Sequence, residues 1–136
     1  MAANVIVDAG FLVAFLDRRE ASHRWARDHS RQLALPWKTC EAAVSETFYI
    51  LGPSGAPSLA ALLYRRAVVA EFNLATQIDN VLQLMAKYAD VPMSFADACL
   101  VRMTELLSDP LLLTLDADFN VYRRHGRRTI PCAMPN

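Results

Sequence analysis

Apolar residues fall along this chain in two rhythms: short unbroken runs, and longer stretches repeating every three to four residues. Val5-Ile6-Val7 is a β-branched run and predicts a buried strand over Asn4–Val7. Ala9–Leu16 then predicts a helix, ended by the charged Asp17-Arg18-Arg19. A second helix is expected over about residues 22–33, with Trp25, His29 and Leu33 on one face and Arg24, Arg27 and Arg31 on the other. A short extended piece at 33–35 stops at Pro36. Thr39 is the expected N-cap of a helix running to about Leu51, with Gly52-Pro53 closing it. Residues 52–57 read as a turn-rich connector, and Pro57 suits the first turn of a helix reaching Arg66. Beyond it lie a short strand at 68–72, an amphipathic helix at 76–89 with Ile78, Val81, Leu82 and Met85 on one side, and a helix from Ser94 to about Leu107. The run Leu111 to Leu115 predicts another buried strand. A short helix and a last strand at 129–132 complete the pattern.

Strands that alternate with helices pair in parallel and need cover on both faces, so the expected class is α/β. At 136 residues the chain is expected to be one domain, residues 1–136. In such sheets ligands bind beyond the carboxyl ends of the strands. Asp8 and Asp116 both directly follow or closely trail apolar strand runs.

That position makes the acidic residues the chemistry to weigh. Asp8 suits a helix N-cap. Asp97 stands three residues after Ser94, a capping-box spacing. Asp116 and Asp118 suit the first turn of the short helix holding Phe119 and Tyr122, and Glu46 suits a solvated helix face. Each has an ordinary structural use. Together, strand ends and helix starts share one edge of the sheet, where several carboxylates would repel one another. A divalent cation removes that cost. Oxygen ligands without paired His or Cys favour Mg²⁺ or Mn²⁺ over Zn²⁺. Such a site suits phosphodiester hydrolysis without a covalent nucleophile, and no Ser, Cys or His triad is recognisable.

Composition changes this picture in one respect. The chain has 14 basic and 14 acidic residues and no net charge, which by itself argues against nucleic acid. Taking the five candidate carboxylates from the 14 leaves 9, against 14 basic residues, so the remaining scaffold is +5 and tolerates a polyanion. No apolar stretch suggests a membrane span or a signal peptide. Cys40, Cys99 and Cys132 lack zinc-ligand spacing and read as buried reduced thiols of a cytoplasmic protein.

Four segments carry a resemblance: Val5-Ile6-Val7-Asp8-Ala9-Gly10 with Leu12-Val13-Ala14, Ser45-Glu46, Phe95-Ala96-Asp97-Ala98, and Thr114-Leu115-Asp116-Ala117-Asp118-Phe119. In order and spacing the chain resembles PIN-domain ribonucleases, including toxins of type II toxin–antitoxin pairs. The resemblance implies a three-layer α/β/α sandwich with a central, mainly parallel sheet. It implies Asp8, Glu46, Asp97 and Asp116 as the acidic quartet, Asp118 as an added metal ligand, and Thr114 as a support that orients the last carboxylate through its hydroxyl. The implied activity is Mg²⁺- or Mn²⁺-dependent cleavage of RNA by water, leaving 5′-phosphate and 3′-hydroxyl ends. A homodimer and an antitoxin partner are implied as well. One departure stands out: many relatives place Ser or Asn two residues after the first Asp, and this chain has Gly10.

Arg123, Arg124, Arg127 and Arg128, beside His125, are expected to contact RNA phosphates at the rim of the site; a solvated helix end is the alternative use. Leu59, Leu62 and Leu63 with Tyr64 fit either a dimer or antitoxin surface or plain core. Two other functions compete. A non-catalytic PIN-fold module binding RNA or protein is suggested by Gly10 and the neutral charge. A haloacid-dehalogenase-type phosphatase needs a second Asp where Gly10 stands, and no lysine precedes Asp116 as that chemistry expects.

Overall fold

The computed structural model describes residues 2–136. Five strands form one parallel sheet in the order β3-β2-β1-β4-β5: β1 is Asn4–Val7, β2 Trp37–Thr39, β3 Val68–Ala70, β4 Pro110–Leu113 and β5 Cys132–Ala133. The helices are α1 (Ala9–Leu16), α2 (His23–Ser30), α3 (Glu41–Tyr64), α4 (Leu74–Lys87) and α5 (Phe95–Leu106). Arg123–Arg124 and Arg128–Thr129 pair separately as a small antiparallel hairpin.

Strand side chains alternate between two helical layers, as the two-residue strand period requires. Ile6 and Leu112 pack under α4 and α5 with Cys40, Ala43, Val81 and Leu100. Val5, Val7 and Leu113 pack under α1 and α2 with Phe11, Leu12 and Ala26. Both faces of β1 are covered, so it reads as a continuous apolar run. The α/β/α sandwich is therefore as expected.

The largest difference lies in residues 39–66. Thr39 ends β2, where its hydroxyl donates to Val7 O at 2.7 Å, and Cys40 takes the N-cap position. Gly52 ends the first helical stretch, as expected, but the turn-rich connector over residues 52–57 shrinks to that one residue and the second stretch opens at Pro53 rather than Pro57. The chain kinks at Gly52 (φ 68°, ψ −176°) and continues helically from Pro53 through Pro57 to Tyr64. Only glycine adopts that conformation readily. Proline fits because it opens the second half, where no helical acceptor awaits its missing N–H. Ala43 packs in the first core cluster and Leu62 in the second, so α3 passes from one face of the sheet to the other. Leu59 and Leu62 are buried core, whereas Tyr64 is exposed.

Smaller shifts follow from local chemistry. The strand expected before Pro36 begins after it, at Trp37. Leu82 is exposed while Val81 is buried in α4. The last segment splits, with Thr129 in the hairpin and Cys132 on the sheet edge. Cys40 and Cys99 are buried free thiols and Cys132 is half-buried and free. No helix among the described residues is long and apolar enough to cross a membrane.

Candidate metal-binding active site

β1 and β4 lie side by side in register, with Val7 opposite Leu113. The next residue of each strand is therefore also a neighbour, which sets Asp8 against Thr114. The Thr114 hydroxyl donates to Asp8 Oδ2 in a short hydrogen bond and accepts from the Asp116 N–H at 2.9 Å. Sequence reasoning assigned that hydroxyl to the last carboxylate. The structure corrects this: the hydroxyl orients the first carboxylate and holds only the backbone of the last.

Capping and site roles coincide here. Asp8 is the N-cap of α1, its Oδ1 accepting the Phe11 N–H at 2.8 Å. Asp116 caps a 3₁₀ turn, Ala117–Asn120, its Oδ1 accepting the Asp118 N–H at 2.9 Å. Ser94 caps α5 by accepting the Asp97 N–H at 3.0 Å, which leaves the Asp97 carboxylate to receive the Tyr122 hydroxyl at 3.3 Å.

Asp8, Glu46, Asp97 and Asp116 line one cavity of about 410 Å³ at the carboxyl edge of the sheet, floored by Ala43 and Leu100. They come from the ends of β1 and β4 and from α3 and α5, up to 108 positions apart in the chain. Asp118 lies two residues past Asp116 and does not line the cavity. Burial raises the Asp8 carboxyl from 3.8 to about 6, against the lowering effect of its bonds from Thr114 and Phe11; Asp97 and Asp116 push it further up. Asp97 is also raised, by burial first and then by Asp116, with Glu46 contributing. Burial first, then Asp97, Asp118 and Asp116, raise the Tyr122 phenol. Among the described residues no cationic side chain lines the cavity. Among the described residues no three His, Cys, Asp or Glu stand as a finished metal cage. Unneutralised carboxylates repel one another and stay apart. An all-oxygen set with surplus negative charge, two of whose members (Glu46 and Asp116) are exposed, fits Mg²⁺ or Mn²⁺.

Residues 5–124 match the PIN domain family. The chain belongs to that family. No curated protein sequence matches it significantly. Among solved structures it is similar to the Mycobacterium tuberculosis toxin VapC20, a sarcin–ricin loop cleaving toxin: TM-score 0.78, 21% identity, covering 92% of this chain and 99% of that one. At that identity the likeness concerns the fold.

Within this PIN domain the arginine run does not form the cavity rim. Arg123 Nη1 donates to the carbonyls of Asn120, Val121 and Tyr122, and Arg124 Nη2 donates to the carbonyls of Thr104 and Leu107. The hairpin thus sits at the C-terminal end of α5, about 10 Å along the helix from Asp97 at 1.5 Å per residue. Arg127 and Arg128 are exposed there beside His125. Tyr122 is the member that sequence reasoning missed as a site residue. It is fully buried, held edge-on by Tyr88 and Phe119, and its hydroxyl reaches Asp97. Its position six residues past Asp116 was the available signal. A Cβ at Gly10 would meet only Asp8 Oδ1, at 3.6 Å, so a polar side chain fits where this protein has none.

Proposed function

We propose that residues 1–136 act as a single PIN domain with Mg²⁺- or Mn²⁺-dependent endoribonuclease activity, serving as the cytoplasmic toxin of a toxin–antitoxin pair and working as a homodimer. The observation that carries the reading is the gathering of Asp8, Glu46, Asp97 and Asp116 on one cavity without a balancing cation. The RNA-cleaving activity of the similarly folded VapC20 toxin supports RNA as the polymer.

Asp8, Asp97 and Asp116 would hold the metal, with Asp118 adjoining. When bound, the ion supplies charge neutralisation at the scissile phosphate and acidifies water. The protein's own part is positioning. Thr114 and the Phe11 N–H fix Asp8, and Tyr122 fixes Asp97. Glu46 lies on the exposed wall and accepts the proton of the attacking water at its carboxylate. The water oxygen bonds phosphorus, the bond to the 3′ oxygen breaks, and that oxygen takes a proton from solvent. Ends of 5′-phosphate and 3′-hydroxyl result. Arg127 and Arg128, exposed at the hairpin, contact flanking phosphates, whereas Arg123 and Arg124 brace the hairpin that presents them.

Cleavage of labelled RNA with Mn²⁺, with EDTA, and by Asp97→Asn tests this. Loss of cleavage in the last two, with unchanged circular dichroism, is expected; full activity in a pure Asp97→Asn preparation removes the reading. Gly10 favours one second reading, a PIN-fold module that binds RNA or protein without cutting. Calorimetric titration with Mn²⁺ separates the two, since that module has no need to bind the ion at millimolar concentration.

A further inference from the structure

A second cavity, of about 800 Å³, lies away from the carboxylates. Trp37 opens β2 and Ala67 immediately precedes β3, so this cavity is at the amino edge of the sheet. Its floor is apolar, built from Phe15, Leu33, Pro36, Trp37 and Leu62. Four arginines line it, Arg27 and Arg31 from α2 and Arg65 and Arg66 from the end of α3, and no acidic residue does. Among the described residues Arg31 alone of the four has a carboxylate partner, the exposed Asp28 at 3.7 Å, while Arg66 Nη1 donates to the carbonyls of Leu63 and Tyr64. The indole N–H of Trp37 is buried without a hydrogen-bond partner. Leu35 stands 59% exposed at the lip.

Like-charged arginines repel one another, so their convergence on one cavity favours an anionic occupant. An apolar floor favours a hydrophobic anchor on that occupant. Single-stranded RNA is the weaker match, because it is gripped by stacking on open aromatic faces. Here Trp37 is 4% exposed and the Arg27 guanidinium covers the Phe15 ring at 4.4 Å.

We infer that this cavity is a docking site for an acidic peptide segment of a partner protein, one apolar side chain entering the floor and flanking carboxylates meeting the arginines. The inference is independent of the nuclease reading, because no residue of the carboxylate cavity lines this one.

The test is fluorescence anisotropy with labelled twelve-residue peptides alternating Glu and Leu, Gln and Leu, or Glu and Ser, and with a twelve-nucleotide RNA. The Glu/Leu peptide should bind at least tenfold more tightly than either control peptide, and 0.5 M salt should weaken it. Arg31→Glu with Arg65→Glu, both exposed, should weaken it at least tenfold, and Leu35→Ser should also weaken it. RNA cleavage by these variants should be unchanged. Equal binding of the Gln/Leu peptide, no binding at 1 mM, or RNA binding lost in the arginine variant would each overturn the proposal.

Discussion

Replacing Asp8 by Asn should stabilise the metal-free protein at alkaline pH and destabilise it in acid. Folding moves this carboxyl from 3.8 to about 6, chiefly because burial disfavours its charge. The folded state therefore binds the proton more tightly than the unfolded state. The group's contribution to stability is fully present below pH 3.8 and is lost as pH rises through about 6. Each pH unit is 1.36 kcal/mol, so above pH 7 the ionised side chain costs about 3 kcal/mol. Asparagine removes the charge and can still accept the Phe11 N–H. It cannot accept the Thr114 hydroxyl proton, a loss of about 1 kcal/mol. The variant should therefore be about 2 kcal/mol more stable than wild type at pH 8 in EDTA and about 0.5 kcal/mol less stable at pH 4. The sign should change near pH 4.5, where the two contributions cancel. Urea unfolding of both proteins across this range measures it, and the shared pH dependence of other groups cancels in the difference. Mn²⁺ should reverse the alkaline result, because only the wild type gains ligand-linked stability. A difference independent of pH from 4 to 8 would refute the assignment of a strained, buried charge to Asp8.

Tyr122→Phe removes the hydroxyl donated to Asp97 and should cost about 1 kcal/mol of stability; Mn²⁺ affinity by calorimetry should fall while the circular dichroism spectrum is kept. Thr114→Val deletes the buried donor to Asp8 and the half-buried acceptor of the Asp116 N–H, and should cost about 1–3 kcal/mol in urea unfolding. Gly10→Ser places a hydroxyl beside Asp8 with its Cβ at ordinary contact distance, so it should tighten Mn²⁺ binding without loss of thermal stability. Gly52→Ala meets no atom within 4 Å, so any cost comes from the backbone alone: about 1–3 kcal/mol, read from a lowered midpoint.

The β-branched run of β1, the amphipathic helices and the order of elements were legible in the sequence, because periodicity records which side of an element is dry. So were Asp8, Asp97 and Asp116, once strand ends and helix starts were taken to share an edge; Glu46, in mid-helix, joined them only through the resemblance to the family. Three things were decided only by the tertiary structure. The register of β1 on β4 gave the Thr114 hydroxyl to Asp8, since neighbours across a sheet are set by pairing and not by sequence distance. The packing of the hairpin on the end of α5 turned Arg123 and Arg124 toward backbone carbonyls and took the run away from the cavity. Past the break at Gly52 the chain turns helical again at once, from Pro53, because burying Leu59 and Leu62 outweighs the turn composition of residues 53–57. Local sequence chose the side chains; the geometry between distant segments determined which of them meet.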